Sequence, residues 1–429
     1  MPSKIPPGAV TGTDANGKGG RVITAEKIRR ERAGAELVVS ATIRSAVDLP
    51  DRMWFSLPPE FERDVAVDGD PFLPVVTLVG MAHRLPIEMP EVSAELLDGC
   101  SRIAAIFDAW SRELGDGLRA VPISAPTRRR SRSGRAAGSF FSGGVDSTYT
   151  LLRNHDRYPP GDPRRIKYLL VAHGFDVPLE DRALFDRVLA TVRDFADAHG
   201  AEAIPVRTNV RAFTAGIDWG RYAHGPCLAA VGHVLSPLLH TISIASSDWF
   251  ATIKPWGSHP DIDGRWSSER LEFIYHGLEA TRVDKIQRIA TSDVALRTLR
   301  VCWHNRDDAF NCGRCEKCLR TMFALSCFGV LSKTSTFPQR LDPELIAGLR
   351  LHPVEVPFWE DNLHLASRTD ADPALVEGAR RAVERTRLQE TQAGAAAHPV
   401  LTRLKLLDER HLKSSVRRAI RAIRRTAHQ

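Results

Sequence analysis

Two stretches of this chain bring together residue types that can do chemistry at spacings that chemistry needs. The first is Ser142-Gly143-Gly144-Val145-Asp146-Ser147. It follows AAGSFF, which reads as a strand, and runs into STYTLLRNH, which reads as a helix. Gly143 and Gly144 can take backbone angles closed to other residues, and neither blocks the approach of a phosphate. A helix start behind them offers unpaired N–H groups and the positive end of a dipole. Ser142 and Ser147 add hydroxyl donors. Ionised Asp146 cannot donate, so its candidate roles are holding Mg²⁺ or orienting the loop. The pattern GxxxxGK[ST] is absent, which excludes a Walker A loop. A plain strand-to-helix turn is the bland reading, and six consecutive positions in this context argue against it.

The second stretch is Cys302…Cys312-Gly-Arg-Cys315-Glu-Lys-Cys318, a C-x9-C-x2-C-x2-C spacing. Four thiolates complete a tetrahedral shell, and short knuckles bring them together. A closed shell leaves no open position for water, so the expected role is structural. Four thiolates also suit an iron–sulfur cluster. His304 is a spare ligand should Cys302 point away. Seven cysteines, an odd number, with no secretory leader argue against a disulfide scaffold.

These residues need elements to position them. Alternation of strands and helices begins at Ala136: AAGSFF, IKYLLVAHGF, AEAIPVRTN and TISIASS read as strands. Between them, STYTLLRNH, LFDRVLATVRDFADAHG and HGPCLAAVGHVLSPLLH read as helices. That pattern predicts a parallel sheet with helices on its faces and a ligand beyond the strands' C-terminal ends. Asp248, after the last of these strands, is a candidate substrate or Mg²⁺ ligand, with a capping role as the alternative. Trp256, His259, Asp261, Asp263 and Trp266 form a polar–aromatic loop that reads equally as functional or as packed surface. His224 and Cys227 open a helix as HGPC and are candidates to face the pocket, although a helix-start turn explains Gly225 and Pro226 without function.

Upstream, residues 21–126 read as a separate α+β domain, with AELVVSATI and PVVTLVGMA as strands and VSAELLDGCSRIAAIFDAWSREL as an amphipathic helix. Residues 1–20 are Gly/Pro-rich and expected to be disordered. TRRRSRSGR, residues 127–135, reads as a solvated basic linker in preference to a nucleic-acid patch. The catalytic domain is placed at 136–332, and a helical, basic extension at 333–429.

SGGVDS resembles the signature of the PP-loop, or N-type ATP pyrophosphatase, superfamily, and CGRCEKCLRTM resembles the cysteine cluster of zinc-containing 7-cyano-7-deazaguanine synthases. The resemblance spans roughly residues 136–326, and its specific parts are the loop and the cysteines. It implies an adenine nucleotide alpha hydrolase-like fold, with ATP, Mg²⁺ and Zn²⁺ as cofactors. It implies cleavage of ATP to AMP and pyrophosphate as a small carboxylate or amide-like substrate is adenylated, followed by attack of ammonia or another nitrogen donor. It places zinc ahead of iron–sulfur on Cys302, Cys312, Cys315 and Cys318. It places Ser142 to Ser147 on the phosphates and His173, Gly174 and Phe175 near adenine. Asp146, Asp248 and Lys285 become the catalytic candidates, and a lysine at 285 would neutralise departing pyrophosphate. GSHPDIDGRWS departs from the family's substrate-facing segment, so the deazaguanine substrate is not carried over.

Two alternatives stand beside this reading. One is an RNA-modifying thiolase, for which Cys227 and Cys327 carry no mark of activation. The other is a nucleotide-binding regulatory protein without turnover. The net charge is +7, and from Arg403 onward seven Arg and two Lys against Asp408 and Glu409 account for all of it. That tail, with Val416, Ile420 and Ile423 at helical spacing, is a candidate for RNA or anionic membrane contact, with a solvated helix as the alternative. No N-terminal cysteine offers a glutaminase nucleophile, so ammonia is expected from solution or a partner. A cytoplasmic setting is expected, since no signal or membrane-spanning run stands out, and a homo-oligomer is expected beside it.

Overall fold

The computed structural model describes residues 22–132, 134–247, 249–305 and 309–397. Residues 1–20, the basic tail and Asp248 therefore lie outside or largely outside the described residues.

The chain lays down β1 (Ile23–Ala33), β2 (Glu36–Arg44), β3 (Arg52–Leu57), α1 (Leu73–His83), β4 (Ile87–Glu88), β5 (Val92–Ser93), α2 (Ala94–Leu114), β6 (Ile123–Ser124) and β7 (Thr127–Arg128). The alternating region follows as β8 (Ala136–Phe140), α3 (Val145–Arg157), β9 (Ile166–His173), α4 (Arg182–Ala198), β10 (Glu202–Thr208), α5 (Val210–Phe213), α6 (His224–Val234), β11 (Leu239–Ala245) and β12 (Glu272–His276). Helices close the chain: α7 (Arg282–Ala290), α8 (Asp293–Thr298), α9 (Glu316–Cys327), α10 (Pro343–Ala347), α11 (Val356–Ala366) and α12 (Pro373–Ala397).

Among the described residues ten strands form one sheet in the order β12-β11-β8-β9-β10-β3-β2-β1-β4-β6. The strands from β12 to β10 are parallel, as the βα alternation predicts, and β8 carries the glycine loop at its centre. Helices α1, α2 and α6 pack on one side, around Phe55, Phe72, Phe107 and Leu235. Helices α3, α4, α7, α8 and α9 pack on the other, around Phe141, Phe195, Ile286 and Leu325. A smaller cluster around Phe323 and Trp359 joins α9 to α10, α11 and α12. Among the described residues no helix is long and apolar enough to cross a membrane.

Three expectations are corrected. PVVTLVGMA is not a strand but most of α1, buried from Leu73 to Met81. An unbroken apolar run does not distinguish a core strand from a core helix. Pro74 in the first turn was the local sign of a helix. The helix read through residue 240 stops at Val234, and Leu239–His240 already belong to β11. Finally, residues 21–126 do not stand apart. β3 pairs antiparallel with β10 through Ser56–Arg207 and Phe55–Thr208, and one apolar core runs through both segments.

Beyond that pairing, Asn209 continues the ladder with its side chain. Its Oδ1 accepts from the Trp54 N–H at 3.0 Å, and its Nδ2 donates to the Arg52 carbonyl at 2.8 Å. The basic stretch after α2 is not a free linker either. β5 and β7 pair in a small parallel ladder. Arg130 reaches Asp68 at 3.3 Å, Arg132 reaches Glu272 at 3.5 Å, and Arg135 reaches Asp64 at 2.6 Å. Arginines committed to carboxylates make a poor polyanion patch.

Substituting Asn209→Ala leaves the Trp54 N–H and Arg52 C=O without these partners, and the expected loss is about 1–3 kcal/mol in urea denaturation. An unchanged midpoint at constant slope shows that this junction does not hold the two strand sets together.

Candidate functional site

Gly143 adopts φ +75°, a left-handed angle that costs glycine little and other residues more. Gly144 then caps α3, a helix of 13 residues, without a side-chain capping bond. Ser142 and Ser147 fold the loop on itself. The Gly144 N–H donates to Ser142 Oγ at 3.3 Å, and Ser147 Oγ donates to the Gly144 carbonyl at 3.3 Å. From the far side, the Arg300 N–H donates to the Gly143 carbonyl at 2.8 Å.

The loop opens into a cavity of about 1230 Å³ lined by Ser142, Gly144, Val145, Asp146 and Ser147. Six cations share that lining, and four of them come from the C-terminal half of the chain: Arg282 from α7, Arg300, and Lys317 and Arg320 from α9. The Lys317 ammonium has no hydrogen bond or ion pair among the described residues, and Arg282, Arg300 and Arg320 each keep a buried Nε without a hydrogen-bond partner. Phe358 of α11 lies under two of them, with Arg320 at 4.1 Å and Arg282 at 5.5 Å from its ring centre. Burial depresses the Arg320 guanidinium to about 10, against the pull of Glu316, whose Oε1 lies 3.4 Å away.

Asp146 is held at both oxygens. Lys285 Nζ meets Oδ1 at 3.1 Å, and Arg282 Nη1 meets Oδ2 at 2.9 Å. Burial raises the carboxyl's pKa, but the charges of Arg282 and Lys285 outweigh it and hold the group below its ordinary range. Lys285 is only 1% exposed and does not line the cavity. Its ammonium also donates to the Ser246 carbonyl at 2.5 Å, and burial lowers its pKa despite Asp146. It sits behind the loop and ties α7 to the end of β11.

The opposite wall is aromatic. Phe175 meets Trp219 edge-on at 5.2 Å, Trp219 lies 6.2 Å from His224, and His224 lies 6.1 Å from Trp256. Arg211 stacks on Trp219 at 4.1 Å and Lys254 on Trp256 at 5.5 Å. The segments carrying these rings meet backbone to backbone, because a Cβ at Gly225 would come within 1.8 Å of the Gly257 carbonyl oxygen.

The sequence candidates divide accordingly. Gly174 and Phe175 line the cavity. His173 does not: it stacks on Phe185 at 4.1 Å, and its Nε2 lies 2.8 Å from the Pro178 carbonyl. His224 and Trp256 face the cavity, whereas Cys227 is fully buried outside it. Asp263 and Trp266 are core residues, and Asp263, lifted to about 7 by burial, accepts from Ser258 Oγ at 2.6 Å. Sequence reasoning missed Arg282, Arg300, Lys317, Arg320 and Phe358. Lys317 and Arg320 lay inside the cysteine motif, where Arg320 counted toward the resemblance but neither was given a role at the site.

The four cysteines do come together. Their sulfurs lie within 4.8 Å of one another, with Cys302–Cys315 at 4.0 Å and Cys312–Cys318 at 3.9 Å. Metal–sulfur bonds of ~2.3 Å in a tetrahedron put sulfurs about 3.8 Å apart, so the set fits a metal ion. A hydrogen bond from the Cys318 thiol, against the opposing effect of burial, brings Cys315 down to about 5. Its own N–H donates to Cys312 Sγ at 3.3 Å, as in a metal knuckle.

No family model matches the chain, and neither a curated protein nor a solved structure is significantly similar to it.

Replacing Asp146 by Ala strands the buried Lys285 ammonium, with an expected cost of about 3–5 kcal/mol in denaturant unfolding. Adding Lys285→Met recovers part of that loss. Strict additivity of the two single changes rules out the ion pair as the anchor of the loop.

Proposed function

We propose that this chain is an ATP-dependent ligase of the PP-loop type. It adenylates a small carboxylate or amide-like substrate, releases pyrophosphate, and passes the activated group to ammonia or another nitrogen nucleophile. The observation that carries this reading is a glycine loop at a helix N-terminus opening into a cavity whose other lining includes Arg282, Arg300, Lys317 and Arg320. Such a set of donors and cations suits a polyphosphate.

In this reading the N–H groups at the start of α3 and the hydroxyls of Ser142 and Ser147 hold the phosphates. An acceptor oxygen attacks the α-phosphorus, the α–β P–O bond breaks, and pyrophosphate leaves with the electron pair. Lys317, Arg282 and Arg320 neutralise that charge as it develops. This is the role the sequence assigned to Lys285, which instead positions Asp146 from behind the loop. Nitrogen then attacks the activated carbon, the C–O bond to AMP breaks, and the nitrogen's proton goes to solvent. Both oxygens of Asp146 are taken by cations, so Asp146 fits an anchor better than a Mg²⁺ ligand, and Mg²⁺ enters with the nucleotide. Gly174 and Phe175 flank the base, and the Trp219–His224–Trp256 wall receives the acceptor.

We assign zinc to the four cysteines, because two short knuckles suit a single ion and a closed thiolate shell suits a structural one. Bound there, the metal supplies folding energy and holds the start of α9, which carries Lys317 and Arg320. A sulfur-transfer reading gains no support. Burial pushes the Cys227 thiol up to about 12 and raises Cys327, and neither lines the cavity.

Incubation with Mg-ATP, ammonia and a panel of small carboxylates is expected to yield AMP and pyrophosphate, and Lys317→Met is expected to slow that release about a hundredfold. ADP and orthophosphate as products overturn the mechanism, and binding of ATP without any release leaves a nucleotide-binding regulator as the better reading.

Elemental analysis is expected to find one zinc per chain. Cys315→Ser should lose it and destabilise the protein, since structural zinc contributes on the order of 10 kcal/mol in small zinc modules. Iron with sulfide, or no metal, refutes the assignment.

A further inference from the structure

Between the knuckle and the glycine loop lies one residue that no step of the proposed reaction uses. Asn311 is 4% exposed and makes four hydrogen bonds with its side chain. Its Oδ1 accepts from the Val301 N–H at 2.8 Å and the Cys302 N–H at 3.1 Å. Its Nδ2 donates to the carbonyls of Leu299 at 2.9 Å and Thr336 at 3.1 Å. It thus holds residues 299–302 from both sides of Arg300. Arg300, in the middle of that segment, gives its own N–H to the Gly143 carbonyl. Asn311 is also the neighbour of Cys312, and Cys302 ends the segment it holds.

The connection is short and mostly backbone. A metal on the four thiolates would tie Cys302 to Cys312, Asn311 holds residues 299–302 beside them, and Arg300 gives one hydrogen bond to the residue whose left-handed angle shapes the loop. Its guanidinium continues the tie. Arg300 Nη2 donates to Asn305 Oδ1 at 2.6 Å, and Asn305 Nδ2 donates to the Asp176 carbonyl at 2.8 Å, in the turn after β9. The second arm of the knuckle starts α9 and delivers Lys317 and Arg320 to the same cavity.

We infer that Asn311 is a positioning residue that couples the four-cysteine metal site to the phosphate loop, so that metal retention and loop order rise and fall together. The inference rests on the reading of the cysteines as a metal site. It does not require that the loop's ligand be ATP. Coupling of this kind is reciprocal: whatever orders the loop also slows loss of the metal.

The test is hydrogen exchange of backbone amides 140–149 in the full chain, with zinc bound and after removal by a chelator. Stripping zinc from the wild type is expected to speed exchange in this segment by about tenfold or more, within the usual range of coupling between sites. Asn311→Asp, with zinc still bound at one per chain, is expected to show the same acceleration, because it keeps the acceptor and loses the donor to Leu299 and Thr336. Arg130→Ala breaks two ion pairs on the N-terminal side, to Asp68 and Glu91, and serves as the control for general destabilisation. It should leave the segment as protected as in the wild type. Unchanged exchange after stripping overturns the coupling. So does an Asn311→Asp variant that keeps its zinc and its protection, or acceleration by Arg130→Ala equal to that of Asn311→Asp. Absence of any metal in the purified protein defeats both the metal assignment and this inference. Failure to form AMP, with these exchange results in place, defeats only the reaction proposed above.

Discussion

The site depends on a buried carboxylate. Asp146 stands in the first turn of α3 and meets Lys285 and Arg282, one turn apart on α7. Alone, Asp146 and Lys285 would each be driven toward the neutral form by burial. Together they remain charged, and the geometry of three elements follows. α3 is drawn against α7, and Lys285 also takes the Ser246 carbonyl at the end of β11. The glycine loop is therefore held from beneath by an ion pair and from the side by the Arg300 N–H. Neither contact uses the N–H groups of Val145, Asp146 and Ser147 at the start of α3.

Charge around the cavity is arranged with the same economy. Arg282 is shared between Asp146 and the ring of Phe358, and Arg320 between Glu316 and the same ring. Cations with so few carboxylate partners in a partly enclosed space repel one another, and an anion there relieves that repulsion. The arginines of residues 128–135 have the opposite fate. Several of them meet acidic partners on the N-terminal segment or β12, and so they pin that segment to the sheet instead of presenting a charged surface. Two basic clusters of similar composition thus differ in what they can bind, because one has its counterions built in.

Much of the parallel sheet and both chemical motifs were legible in the residues themselves, for a physical reason. A glycine loop is a local object: two glycines, flanking hydroxyls and a helix start lie within a few positions, so spacing alone marks it. Three of the four cysteines sit in consecutive knuckles for the same reason. Strand and helix periodicity from Ala136 onward reported which faces are buried, and so located the strand ends where the loop had to lie.

What spacing does not encode is who meets whom. Residues 74–82 are almost wholly apolar, so apart from Pro74 nothing in their pattern distinguishes a core helix from a core strand until α1 is seen packed against α2 and α6. The union of β3 with β10 joins residues about 150 apart in the sequence through backbone groups that every residue carries. Lys285 looked like a catalytic lysine, yet one turn of helix decides that Arg282 faces the cavity while Lys285 lies beneath it. Lys317, Arg320 and Phe358 become one cation wall only because the knuckle aims α9 at the loop and α11 packs across it. The sequence determined the chemistry that each local segment can offer. Tertiary structure decided which charges are neutralised by partners and which are left facing the cavity, because that depends on distances between segments that no local pattern contains.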